Sequence, residues 1–348
     1  MTVAAAPAGR PMAASASLSL VDTLKAFASQ LIVWHHLTFY GPMSDVARPH
    51  APGLLDWLAD DARIAVQVFL VVAGFLAARS LLERTRIDLP RLVWQRYLRL
   101  VRPYAVALVA AVLAAWIARE LVPDHPHAPA APTVVQLLAH LLMLQDVAGI
   151  DALSAGVWYV AIDLQLYALL AGLLWLSQRA AGLALPVVAA LMLLSLLWLN
   201  RQPELDVWAP YFFGAYGLGV LAYWMSQQPR RLAWAAVLAG VVLLALAFEW
   251  RSRILVAGIT AVALVLAADL RHPGGAVAAA LARISYPVFL IHYPVCLVVG
   301  AAVLRFWPDS VAVNVLGMVV AWLLSLMAGA LLQRWIEPAR NPAQRAAR

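Results

Sequence analysis

The sequence predicts an all-α fold: a polytopic membrane helix bundle of about ten transmembrane helices plus a short re-entrant segment, with both termini cytoplasmic. Three observations carry that reading. Hydrophobic residues fill 64% of the 348 positions and charged residues only 12%, where soluble domains are roughly 45–50% apolar and about 25% charged. Mean hydropathy is +0.81, and apolar runs of about 17–25 residues recur along the chain, each long enough to cross a hydrocarbon core of about 30 Å. The basic residues, 25 against 18 acidic for a net charge of +7, gather between alternate runs, as the loops on one side of a membrane do. These observations exclude a soluble globular protein and leave no room for a large soluble domain.

Residues 1–19 are rich in Ala, Ser and Pro and lack a basic region followed by an apolar stretch, so they read as a disordered tail and not a cleaved signal peptide. The membrane domain is expected over 20–337, followed by a cytoplasmic tail over 338–348. Spans are expected at 20–40, 63–82, 100–121, 156–177, 183–200, 208–226, 231–249, 253–270, 281–303 and 311–335. The stretch 122–132, rich in Pro, His and Ala, is expected as an external loop. The apolar piece 133–147 is short and ends at Gln145 and Asp146, so it is expected to re-enter and not to cross. With that choice Arg84, Arg86, Arg91, Arg96, Arg99 and Arg102 share one side with Arg230, Arg231, Arg271, Arg283 and the C-terminal arginines, as the positive-inside rule requires. The chain is expected in a bacterial-type inner membrane. Among the basic residues 24 are Arg and one is Lys. Their clustering points to topology and anionic ligands and not to nucleic acid. The single cysteine, Cys296, lies inside an apolar run, which excludes an intrachain disulfide and a cysteine-built metal cluster.

Ionisable groups inside spans are expensive and mark candidate function. Lys25 and His36 lie eleven positions apart on the first span, a net rotation of about 20° and a rise of about 16 Å, so they share one face while His35 points about 80° away. The bland alternative is a snorkelling Lys and a His satisfied by a neighbouring helix. Arg96, Arg99 and Arg102 follow i, i+3, i+6 spacing at the entry to the third span, which sets guanidinium groups on adjacent turns, able to grip phosphate or carboxylate. Basic residues at such an end are also ordinary topology signals and lipid anchors. Trp158, Asp163 and Tyr167 fall in GVWYVAIDLQLYALL, where Asp163 is i, i+4 with both Tyr159 and Tyr167. That carboxylate could orient or charge-stabilise a histidine, accept a substrate hydroxyl, or pair structurally with Arg63 or Lys25. His292 in SYPVFLIHYPV and Glu337 in WIEPAR specify no chemistry by spacing alone.

Taken together, these segments resemble the acyltransferase 3 family of integral membrane O-acyltransferases, in order, over about residues 20 to 341. DTLKAFASQLIVWHH is similar to that family's opening helix, with Lys25 where an Arg is usual and His36 retained. RIAVQVFLVVAGF resembles its second-helix motif, with Gln67 and Ala73 in place of Asp and Ser. QRYLRLVRPY resembles its paired arginines at Arg96 and Arg99, and VWYVAIDLQLY its Trp-Leu-Glu-Phe-Tyr motif with Asp163 at the Glu position. SYPVFLIHYPV and WIEPAR resemble its closing signatures.

The resemblance implies an acyl-CoA donor, most often acetyl-CoA, on the cytoplasmic side, and a hydroxyl of a cell-surface or lipid-linked glycan as acceptor. No tightly bound cofactor is expected, and no metal. It implies His36, Asp163 and Lys25 as catalytic residues and Arg96, Arg99 and Arg102 as donor-binding residues. Trp158, Tyr167 and His292 are the expected substrate contacts. On this reading His36 is either general base on the acceptor or covalent acyl carrier, with Asp163 supporting the imidazole. Family members often carry an appended extracytoplasmic domain; here such a partner is expected as a separate protein. The competing class is a transporter using Lys25, His36, Asp163 and His292 as a proton or substrate path. No internal repeat of the kind that class favours is visible. An inactive scaffold is the third class.

Overall fold

A computed structural model describes residues 10–178, 182–267 and 275–336. Within them the chain is helical, in thirteen α-helices: α1 (Arg10–Phe39), α2 (Pro42–Ala47), α3 (Pro52–Asp60), α4 (Ala65–Leu81), α5 (Leu89–Leu121), α6 (Val134–Leu141), α7 (Val157–Ser177), α8 (Ala184–Leu197), α9 (Ala209–Ser226), α10 (Arg231–Phe248), α11 (Ser252–Leu266), α12 (Ala276–Phe306) and α13 (Val311–Ile336). Each of the ten expected spans falls on one of the ten long helices. Among the described residues seven helical stretches suffice, by length and composition, to cross a membrane, Pro52–Leu81 among them, and Ser252–Leu266 is a shorter apolar helix. The protein is a polytopic helical bundle. Large apolar side chains such as Phe27, Val109, Leu243 and Leu331 stay exposed on the long helices, the outward face that hydrocarbon accepts and water does not.

Two differences from the expected elements have plain causes. Helix α1 begins at Arg10, inside the stretch read as a tail: Pro11 falls in the first turn, where a missing N–H costs nothing, and the Ala- and Ser-rich residues 12–19 hold no Pro or Gly that would end a helix before the apolar run. The piece 133–147 forms only α6, eight residues long and so about 12 Å, too short to cross. Its start is fixed by a capping box between Thr133 and Gln136, and the chain turns away through Met143, whose φ is 57°. Val134, Val135 and Leu138 on α6 are exposed, an apolar face bare of protein. Glu337 and the tail 338–348 lie outside the described residues, as do Arg271 and the end of the eighth expected span.

The chain divides into two compact units. The first comprises Met1–Phe27, Gln67–Ile87 and Leu169–Ala282. There α4 and α9 meet backbone to backbone. A Cβ on Gly74 would collide with the Tyr216 carbonyl, and one on Gly219 with the Val71 carbonyl, so the two glycines are what permits the approach, as small residues do in membrane helix pairs. Between α8 and α9, Ser195 takes the Gly214 N–H at 2.8 Å and donates to the Tyr211 carbonyl at 3.1 Å. At one end of this unit Arg251 and Arg253 converge on the Asn200 carbonyl, at 2.7 and 2.9 Å.

The second unit comprises Ala28–Val66, Asp88–Ala168 and Arg283–Arg348. Its apolar core joins Val33 and Leu37 of α1, Met43 of α2, Leu55 of α3, Val288 and Val303 of α12, and Met318 and Ala321 of α13. Trp322 donates its indole N–H to Gln30 at 2.8 Å, which satisfies both polar groups away from water. Helix α12 carries Pro287 and Pro294 inside its length, each removing one ladder hydrogen bond, with His292 between them.

Candidate active site

All the residues described next belong to the second unit except Lys25 and Asp22. His36 comes from the last turn of α1 and His292 from between the two α12 prolines. Their rings meet at His36 Nδ1 and His292 Nε2, 2.7 Å apart. The rings lie within 8° of coplanar with centroids 4.9 Å apart, the spacing that an in-plane hydrogen bond of that length requires, so they meet edge to edge.

This geometry fixes the protons. The other nitrogen of His292, Nδ1, sits 2.8 Å from the Phe289 carbonyl and 3.1 Å from that of Val288. A carbonyl only accepts, so His292 Nδ1 carries the hydrogen and, in a neutral ring, Nε2 accepts. His36 Nδ1 must then donate, which leaves the lone pair of His36 on Nε2. The carbonyl–His292–His36 chain thus presents one defined basic or nucleophilic nitrogen.

Around His36 a cavity of about 10 Å³, close to the size of one water, is lined by Tyr40, His125, His127, Tyr293 and Cys296 among others. The tyrosines stack edge-on at 5.3 Å, and Tyr40 also meets His127 edge-on at 5.6 Å. Tyr293 donates to the His127 carbonyl at 2.6 Å, pinning the 122–132 loop to α12. Arg119 donates to the Pro129 carbonyl and holds the loop's far end. Burial lowers the pKa of His125 and of His127 below the ordinary imidazole range. The His127 charge adds to the effect at His125, and the Asp45 carboxylate partly opposes it at His127.

Asp163 stands in a second cluster. Arg96 donates to its Oδ2 from Nη2 at 2.6 Å and from Nε at 3.2 Å, and the Arg96 guanidinium lies over the Tyr167 ring at 5.3 Å. The Asp163 side chain is 8% exposed and that of Arg96 26%. Tyr286 of α12 interacts electrostatically with both and donates to the Leu100 carbonyl at 3.2 Å, joining α12 to α5. The expected support of the His36 imidazole by Asp163 is therefore not the pairing found: His36 pairs with His292 and Asp163 with Arg96. Helical spacing puts a side chain on a face but does not say which helix that face meets.

The other expected residues fall as follows. Arg99 and Arg102 are exposed and form no ion pair among the described residues, so the three arginines divide into one that turns inward and two that face out. His292, expected as a substrate contact, is the hydrogen-bond partner of His36. Tyr167 is the floor under Arg96. Trp158 packs edge-on to Tyr159, which packs on Phe289 at 5.4 Å. There Gly156, at φ 79°, lies so close to the Phe289 ring that a Cβ would meet it at 2.9 Å. Lys25 lies about three turns before His36 on α1, interacting electrostatically with Asp22. His35 bonds the Leu58 carbonyl at 3.1 Å, the bland role of a structural histidine. Sequence reasoning missed Tyr40, His125, His127, Tyr293 and Tyr286. The visible signal was the His-Pro-His step in a loop otherwise poor in functional groups. Among the described residues no group of three or more His, Cys, Asp or Glu is placed to hold a metal ion.

A family model described as an acyltransferase domain matches residues 19–330. No curated protein and no solved structure gives a match.

Proposed function

The chain belongs to the acyltransferase domain family, and from that premise, with its membrane-type bundle, we propose that it moves an acyl group, most simply acetyl, from cytoplasmic acyl-CoA to a hydroxyl of a cell-surface or lipid-linked glycan. The observation that carries this is the proton order of the His292–His36 pair, which leaves a lone pair on His36 Nε2 in a residue that lines a small cavity together with Tyr40, His125, His127 and Tyr293. In the proposed reaction His36 Nε2 takes the proton of the acceptor hydroxyl as its oxygen attacks the acyl carbonyl. The C–O bond forms, the C–S bond of the thioester breaks, and the proton passes to the departing thiolate. His292 is a positioning residue that holds the His36 tautomer. Donation of the acyl group to Nε2 itself as a covalent carrier uses the same lone pair.

Arg99 and Arg102 are the proposed holders of the donor's phosphates, since both are exposed and unpaired among the described residues, whereas Arg96 is engaged with Asp163. The proposed orientation puts both termini and these arginines on the cytoplasmic side of a bacterial-type inner membrane and the 122–132 loop outside, in keeping with the distribution of arginines. The lipid bilayer is then the protein's surroundings, and a separate extracytoplasmic transferase is a proposed partner.

The test compares base-labile acyl ester on surface glycans in cells with the intact protein, with His36→Ala at equal membrane abundance, and without the protein. Ester confined to the intact protein supports the proposal, since loss of a general base removes about 10²–10⁴ in rate. Equal ester in all three rejects a bulk surface glycan as acceptor and promotes the transport reading, which uptake assays then decide.

A further inference from the structure

The loop over the His36 cavity holds a second imidazole whose protons are also fixed by geometry. The backbone N–H of His127 donates to His125 Nδ1 at 3.2 Å, so Nδ1 bears the lone pair and the hydrogen of the neutral ring sits on Nε2. His125 is 7% exposed, lines the same cavity as His36, and its Nε2 has no hydrogen-bond partner among the described residues. A buried donor without an acceptor is disfavoured in a folded protein. The loop that carries it is nevertheless held in place: His125 N–H reaches the Val122 carbonyl at 3.0 Å and Ala128 N–H the His125 carbonyl at 3.3 Å, while Tyr293 fixes His127. The donor is thus preorganised, neutral and unmatched, in a residue that lines the same cavity as the proposed base.

We infer that His125 is a catalytic residue, its Nε2–H donating to the acyl carbonyl oxygen as that oxygen becomes negative in the tetrahedral intermediate. The two imidazoles then divide the work. His36 Nε2 removes the proton from the acceptor hydroxyl, and His125 Nε2–H stabilises the oxyanion formed when the C–O bond closes. When the carbonyl re-forms, the C–S bond breaks, the thiolate takes the proton from His36, and His125 keeps its own throughout. Burial and the adjacent His127 keep His125 neutral near pH 7, the state in which Nδ1 can accept and Nε2 donate. This inference rests on the acyl-transfer reading of His36.

The experiment measures base-labile label transferred from radiolabelled acetyl-CoA to endogenous acceptor in permeabilised membranes of the producing cell. It uses the unaltered protein, His36→Ala, His125→Ala, His125→Gln and His125→Asn at equal abundance. His125→Ala should lower the maximal rate about 10²–10³-fold, the effect of losing one oxyanion donor, with the KM for acetyl-CoA unchanged. His125→Gln, whose amide N–H reaches about as far as Nε2, should recover at least about ten-fold of that loss, and His125→Asn, whose amide stops near Nδ1, should not. A rate for His125→Ala within a few-fold of the unaltered protein, while His36→Ala is inactive, overturns the inference and leaves the acyl-transfer reading standing. A change confined to KM overturns it equally. If His36→Ala also transfers label, or the unaltered protein transfers none, the reading beneath it has failed and the inference falls with it. Should His125→Ala not reach the membrane, equal rates for the Gln and Asn variants overturn it.

Discussion

Breaking the Arg96–Asp163 pair should destabilise the bundle far more than replacing it whole. Arg96 Nη2 lies 2.6 Å from Asp163 Oδ2, and two unit charges with centres about 4 Å apart at an effective dielectric of about 20 attract by about 4 kcal/mol. Asp163 is 8% exposed, so removing Arg96 alone strands a carboxylate in a medium that solvates it poorly. Such losses run about 3–5 kcal/mol. Both donors of Arg96 go to one oxygen, Oδ2, which is not the two-oxygen fork of the strongest pairs, and the guanidinium keeps a quarter of its exposure. The lower end, about 3 kcal/mol, is therefore the expected cost of Arg96→Met, with Asp163→Leu costing about 2 kcal/mol through loss of the same pair. The double variant removes both charges and should come within about 1–2 kcal/mol of the unaltered protein, a coupling of at least about 3 kcal/mol. The assay is unfolding of the detergent-solubilised protein along an SDS gradient for the four members of the cycle. Additive single losses would refute the reasoning, because they would mean that the pair contributes nothing as a pair.

Three further outcomes follow from the geometry. His292→Ala should lower transfer about as much as mutating a residue that holds a catalytic tautomer, up to about 10⁴-fold, whereas His292→Gln, whose carbonyl can accept from His36, should retain measurably more; equal rates would remove His292 from its positioning role. Gly74→Ala should destabilise by about 1–3 kcal/mol through overpacking, since its Cβ meets the Tyr216 carbonyl, while Gly240→Ala, with open space around it, should not; unfolding midpoints of the two decide. Stability should fall as pH drops below about 6.5, because the unfolded-state imidazoles of His125 and His127 take up protons there before the folded ones do. The loss ends below the lowered folded-state pKa values, and His125→Gln with His127→Gln should flatten the slope of unfolding midpoint against pH; an unchanged slope would exclude these two groups as its source.

Much of the fold was legible because a bilayer leaves few choices. An apolar run of some twenty residues must satisfy its backbone internally, and a helix is the solution within one segment, so composition alone located the long helices. The failure at α1 shows the limit: Ala and Ser permit a helix without requiring one, and the start at Arg10 lies outside what hydropathy marks. The 133–147 piece was legible as non-crossing by length, but length and hydropathy give neither the Thr133–Gln136 capping box that starts α6 nor the turn through Met143.

The site was legible one residue at a time and not in its pairings. His36 and Asp163 stood out because an ionisable group in a span needs a reason to be there, and that argument names the residue without naming its partner. Arg96 illustrates the difficulty. A guanidinium at a helix end serves topology whichever way it points, so the charge pattern gives Arg96, Arg99 and Arg102 one meaning. Only the packing of α5 against α7 turns Arg96 to Asp163 and leaves the other two outward. The His36–His292 contact joins positions 256 apart, beyond any helical period. It also shows an imidazole where a carboxylate was expected: the proposed role of His36 calls for an acceptor at its Nδ1, and a neutral histidine anchored to a peptide carbonyl is such an acceptor without bringing a net charge into the span. The same logic, a hydrogen-bond partner fixing a ring's protons, assigns His125 in a loop that hydropathy marks only as a connection.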